Sequence, residues 1–209
     1  MKSIFTLISF LIFQTCISSG SNPIDHDESL WSPPQTIQKG LKKAYFAGGC
    51  FWCMEESFDK INGVIKSVSG YSGGNLKNPT YKDVVYKDTG HVEAVEILYD
   101  SQIISYNELL EEFWKNIDPF DKYGQFCDKG KSYRSVAFYL NKNQKEKIKT
   151  SINQIESRFN SKVVTLVWPF KKFYPAEDYH QDYYQKNFVR YLSYKKACQR
   201  EEILSRIWE

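Results

Sequence analysis

The 209-residue chain is short of several things, and each shortage removes a class of function. Its formal net charge is only +3, with no basic run longer than a few residues, which gives no footing to a nucleic-acid or anionic-membrane surface. It has three histidines, and neither a second C-x-x-C nor an H-x-x-x-H follows the pair Cys50-x-x-Cys53, so half of a zinc site is missing. There is no flavin or nicotinamide fingerprint, no internal repeat and no low-complexity segment. The apolar run at residues 4–13 is too short for a comfortable transmembrane helix. Aromatic residues, by contrast, are plentiful. Fifteen Tyr and fourteen Phe predict a ring-rich core and ring-lined pockets.

Lys2, the apolar run at 4–13 and the small residues Ser18, Ser19 and Gly20 read as a secretory signal over residues 1–20. A protein exported to a periplasm or secreted is the expectation. A lipid anchor at Cys16 is not expected, because FQTC lacks a small residue just before the cysteine. Residues 21–41 are polar, with Pro23, Pro33 and Pro34, and read as a linker. Residues 42–209 form the domain and keep Cys50, Cys53, Cys127 and Cys198, which an exported protein can use in structural or working disulfides.

Along the domain, KKAYFAG has strand composition, and apolar positions at Phe51, Met54, Phe58 and Ile61 predict a helix over 51–61 ended by Gly63. VIKSVSGY and the alternating HVEAVEILY are strands, separated by a Gly- and Asn-rich loop. SYNELLEEFWKNID carries a capping box, Ser105 with Glu108, and is a helix. A long polar loop over 120–132 leads to the strand SVAFYL. An amphipathic helix with Ile148, Ile152, Ile155 and Phe159 on one side follows, then the strand KVVTLVW and a tail with a helical run through Cys198. The order β-α-β-β-α-β predicts an α+β fold with a two-layer, ferredoxin-like split βαβ core and extra C-terminal elements.

The chemistry concentrates in AGGCFWCMEESF, residues 47–58. Gly48 and Gly49 permit a tight strand-to-helix turn that leaves Cys50 at a helix N-terminus, where unpaired N–H groups and the helix dipole favour a thiolate. A packed core cysteine has no need of that position. A papain-like nucleophile would use His180, 130 residues downstream, but Asn187 is only seven residues beyond it and does not suit that family. A thioredoxin-like dithiol exchanger also places C-x-x-C at a helix start, but with a different element order and without two large rings inside the motif. A redox pair built into a substrate pocket fits the Phe51–Trp52 insertion better.

The motifs GGCFWCMEESF, SGYSGG, NPTY, GHVEAV, QFCDKGKSYRS and PAEDYHQDYY, in that order over residues 44–191, closely resemble the A-type peptide methionine sulfoxide reductases. The resemblance implies reduction of methionine-S-sulfoxide, free or in oxidised proteins and peptides, and so protein repair. By the same resemblance, Cys50 attacks the sulfoxide sulfur, Phe51 and Trp52 hold its methyl group, and Glu93 protonates its oxygen. Tyr81 and Tyr133 hydrogen-bond that oxygen, and Asp128 organises the site. Strand alternation agrees for Glu93, which shares a side with Val95, Ile97 and Tyr99, away from Glu96; burial there would keep its carboxyl protonated.

The resulting sulfenic acid needs a resolving thiol, for which Cys53 is the first candidate and Cys198 the second, while Cys127 reads as a packed loop cysteine. Family members often carry GCFWG, so Cys53 is a departure that puts tail-cysteine recycling in doubt. No metal or bound cofactor is implied. The reductant is an external thioredoxin or thioredoxin-like protein, and a monomer is expected.

Overall fold

The computed structural model describes residues 40–209. The expected signal over 1–20 and nearly all of the 21–41 linker lie outside the described residues. The domain is α+β. Its strands are β1 (Leu41–Ala47), β2 (Val64–Ser72), β3 (Val92–Asp100), β4 (Gly124–Gln125), β5 (Asp128–Lys129), β6 (Val136–Tyr139), β7 (Leu166–Pro169) and β8 (Phe173–Pro175). Its helices are α1 (Phe51–Asp59), α2 (Tyr81–Tyr86), α3 (Tyr106–Lys115), α4 (Lys142–Phe159), α5 (Tyr183–Lys186), α6 (Phe188–Ala197) and α7 (Arg200–Trp208).

Six strands form one sheet in the order β7-β6-β1-β3-β2-β8, antiparallel throughout except for the parallel β6–β7 pair. On one face, Phe46, Val95 and Ile97 pack with Met54 and Phe58 of α1, Leu109 and Phe113 of α3, and Ile148 of α4. The other face buries Tyr45, Val92, Ala94 and Phe138 under Trp168, Phe170 and Phe173. Opposite faces of β3 therefore sort its two glutamates. Glu93 lies on the helix side, whereas Glu96 accepts from the Tyr45 hydroxyl at 2.6 Å and pairs with Lys43 at 2.9 Å on the other.

Local signals act where they are strongest. Ser105 caps α3 by accepting the Glu108 amide while Glu108 accepts the Ser105 amide, closing the expected capping box. Helix α1 ends at Asp59, two residues short of the sequence-based expectation, and Gly63 (φ +95°) turns the chain into β2. The expected loop after β2 also contains a helix, α2, which starts at Tyr81 behind a Thr80–Asp83 capping box. The expected loop over 120–132 is partly ordered as well: β4 and β5 make a hairpin, followed by a single 3₁₀ turn at Lys131–Tyr133. The expected strand KVVTLVW shortens to Leu166–Pro169.

The C-terminal segment is tied to α1 and the sheet by buried polar groups. Gln181 accepts the Ser69 amide at 3.0 Å and donates to the Ser69 carbonyl at 2.9 Å. Glu55 on α1 accepts the Ser69 hydroxyl at 3.0 Å and the Asp182 amide at 3.2 Å through one oxygen, while its other oxygen has no partner. These bonds bring α5 and α6 back across the N-terminus of α1.

Candidate active site

Two glycines set the position of Cys50. A Cβ on Gly48 would lie 2.4 Å from the Met54 sulfur, and one on Gly49 (φ +78°) 2.6 Å from the Gln125 Cβ. The chain thus turns from β1 into α1 pressed against the β4–β5 hairpin. Gln125 is itself fixed: its side chain accepts the Asp118 amide at 2.7 Å and donates to the Asp118 carbonyl at 2.8 Å. The hairpin then presents Asp128 beside Cys50.

Cys50 occupies the N-cap of α1, and its carbonyl accepts the Cys53 and Met54 amides at 3.2 and 3.3 Å. Both thiols are free and buried. A helix-start thiolate was the sequence-based expectation for Cys50, but the structure puts the proton there instead. Burial pushes the Cys50 thiol up, and its hydrogen bond toward Cys53 adds to the effect. Cys53 receives that bond, which outweighs its own burial and, with the charges of Arg200 and Lys195, brings it down to about 7.

A pocket of about 80 Å³ opens over Cys50. Phe51 and Trp52 of α1 line it, with Glu93 of β3, Tyr81 at the start of α2, Tyr133 of the 3₁₀ turn, and Asp128 of β5. All seven residues that the sequence nominated for attack, proton transfer and substrate contact therefore meet in one place. Glu93 is 2 % exposed and accepts the Phe51 amide at 3.0 Å, and desolvation pushes its carboxyl well above the usual carboxylate range. Burial likewise raises Asp128, Tyr81 and Tyr133, so the two tyrosines present hydroxyl donors to the pocket.

The eighth wall residue, Tyr194 on α6, was missed by the sequence reading. Its hydroxyl donates to Asp128. The available signal was the three- and four-residue spacing of Tyr191, Tyr194 and Cys198 along α6, which puts them on one side of that helix. His180, which a protease would pair with its nucleophile, instead accepts the Trp52 indole N–H at 3.1 Å through Nδ1. Burial holds it neutral, and Tyr183 stacks on Trp52 at 3.7 Å. A larger groove of about 670 Å³ between α3, α4 and α7 is lined by neither cysteine nor histidine.

The remaining cysteines correct the sequence reading. Cys127, taken for a packed loop cysteine, is exposed on the β4–β5 turn and bonded to Cys198, which was one of the two candidate resolving thiols. The disulfide joins the end of α6 to the hairpin that carries Asp128. Among the described residues, Cys53 alone remains as a free thiol beside Cys50.

A buried dithiol facing a neutral carboxyl across a ring-lined pocket is the equipment of a thiol-based oxidoreductase. The sequence profile described as "Peptide methionine sulfoxide reductase" matches residues 42–209, and the chain belongs to that family. It is 46% identical over 175 residues to the peptide methionine sulfoxide reductase MsrA of Listeria innocua, covering 82% of this chain and 98% of that one. It is 43% identical over 180 residues to MsrA/MsrB of Vibrio cholerae, covering 84% of this chain but 48% of that protein, so it spans about half the length of that relative. Among solved structures, it resembles reduced Mxr1 of Saccharomyces cerevisiae with a TM-score of 0.67 at 29% identity, covering 71% of this chain and 87% of that one.

Proposed function

We propose that the pocket reduces methionine-S-sulfoxide, free or in oxidised proteins, to methionine and thereby repairs proteins. The observation that carries this is Glu93: a fully buried carboxyl, neutral by desolvation, on the wall of the pocket that holds Cys50. Dithiol exchange has no use for such an acid, whereas a sulfoxide oxygen needs a proton as it leaves sulfur. Phe51 and Trp52 take the methyl group, and Tyr81 and Tyr133 donate to the oxygen; Asp128, bonded to Tyr194, holds the opposite wall.

The Cys50 sulfur attacks the sulfoxide sulfur as its own proton passes to Cys53. Glu93 gives its proton to the oxygen, which transfers to Cys50 as hydroxyl. Methionine leaves reduced by two electrons, and Cys50 is left as a sulfenic acid. Cys53 then gives up its proton and attacks Cys50 as thiolate: an S–S bond forms, the S–O bond breaks, and the departing hydroxide and the released proton leave as water. The last step is reduction of the disulfide by an external thioredoxin-like dithiol. Mxr1 of Saccharomyces cerevisiae has been solved in complex with Trx2, which supports a partner of this kind. The same reading takes β6-β1-β3-β2 with α1 and α3 as the ferredoxin-like core, the domain as beginning near residue 42 behind an export signal, and the enzyme as a monomer.

The test is one equivalent of methionine-S-sulfoxide without reductant, with methionine and thiols counted together. Loss of Cys50 and Cys53 as one disulfide per methionine supports the reading. A folded, reduced sample that yields no methionine overturns it.

A further inference from the structure

Arg200 opens α7 and is 3 % exposed. Its guanidinium donates to the Asn116 carbonyl at 2.6 Å and the Gly48 carbonyl at 3.4 Å, touches the Met54 sulfur at 3.5 Å, and lies 4.4 Å from the centre of the Phe126 ring. Among the described residues it joins no salt bridge. Both carbonyls accept from one guanidinium nitrogen, Nη2, and Asp128, the carboxyl its charge acts on, forms no ion pair with it, a costly arrangement for a buried cation. Gly48 and Met54 flank the thiol pair in sequence, so the charge lies against the first turn of α1.

We propose that Arg200 is a positioning residue for the second half of the reaction, its fixed charge stabilising the Cys53 thiolate that attacks the Cys50 sulfenic acid. The inference rests on Cys53 being the resolving thiol. Facing Cys53 are the Cys50 thiol on α1, Glu93 on β3, Tyr191, Tyr194 and Lys195 on α6, and Arg200 on α7. Glu93 is neutral. Lys195 is already paired with Glu56 and Glu201 at 2.9 Å each, and the Tyr191 hydroxyl, which donates to Glu56 at 2.5 Å, also bonds toward Cys53 but carries no charge. Once Cys50 is oxidised, its S–H is gone and no longer supports Cys53. The Arg200 charge is unchanged by that step, and Arg200 is the one cation facing Cys53 without an acid partner of its own.

The experiment places Arg200→Gln and Arg200→Lys in the full chain carrying Cys50→Ser and follows iodoacetamide alkylation of Cys53 against pH. Arg200→Gln is expected to lower the thiolate fraction at pH 7 about tenfold, one pKa unit, and Arg200→Lys to stay within about twofold. With Cys50 restored, the sulfenic acid trapped by dimedone after one turnover should persist about tenfold longer in Arg200→Gln. An unchanged alkylation profile in Arg200→Gln overturns the proposal. So does an Arg200→Lys profile as displaced as that of Arg200→Gln, since shape and not charge would then matter. Should Arg200→Gln fail to fold, Arg200→Lys decides alone: retention of the profile supports the role, and a tenfold loss overturns it. Disulfide formation by Cys50 in Cys53→Ser would instead defeat the resolving role on which the inference rests.

Discussion

The Phe51 amide donates to one oxygen of Glu93, a residue of the pocket wall, at 3.0 Å. This bond links the residue after the nucleophile to the proton donor, so α1 and β3 cannot shift independently at the site. Because burial keeps Glu93 protonated, turnover should fall as pH rises through its elevated pKa. Glu93→Gln is expected to lose about a hundredfold or more in kcat and to lose that alkaline limb, while Cys50 remains alkylatable. A pH–rate series on both proteins checks this; equal rates would remove Glu93 as the acid.

Glu55 is also an acid held above its normal range, at about 7, chiefly by burial; Asp59 and Asp182 add to the shift. The folded state therefore binds a proton that the unfolded state has released. Glu55 contributes stability that is fully present below about pH 4.5 and lost as pH rises through 7. Glu55→Gln should abolish that slope, worth on the order of 3 kcal/mol between pH 4.5 and 8. Urea denaturation of both proteins at several pH values measures the difference; parallel curves would contradict it.

The Cys127–Cys198 disulfide closes a loop across 71 positions. Replacing both cysteines by serine should cost about 4 kcal/mol of stability on chain-entropy grounds. The α6 wall would then be tethered through the Tyr194–Asp128 bond. A single turnover should still close the Cys50–Cys53 disulfide in the double variant, as peptide mapping would establish. A variant that stops at sulfenic acid would assign resolution to the tail.

Gly49→Ala meets Gln125 at 2.6 Å and forces a left-handed backbone on alanine. A loss of about 2 kcal/mol or more is expected, together with slower alkylation of Cys50 as the turn shifts. Thermal unfolding and alkylation rates report both; wild-type values for each would show the turn to be tolerant.

What the sequence made legible was local. The Ser105–Glu108 box, the helix after Gly49 and the alternation that turns Glu93 inward all act within a few residues. The family motifs then supplied Tyr81, Tyr133 and Asp128, which no local pattern separates from the other tyrosines and aspartates. The contacts that stayed hidden join distant parts of the chain: Tyr194 to Asp128, Cys127 to Cys198, and Arg200 to the Gly48 carbonyl. Each depends on α5–α7 folding back over α1, for which periodicity holds no instruction. The thiol pair itself was found, but the thiolate expected at Cys50 was not, because burial raises that thiol despite its place at the helix end.

The position of Tyr194 has a consequence for the chain's synthesis. Cys50 is made early, whereas the wall that shelters it comes from α6 near the end. At about 5–20 residues per second, the nucleophile waits on the order of ten seconds before Tyr194 exists. During that interval it is an open thiol with Cys53 one turn away and Cys127 following, and a peroxide or an external disulfide, itself reduced in the process, can close a premature Cys50–Cys53 bond. A nascent chain that oxidised early would then arrive folded but spent, needing one external reduction before its first substrate.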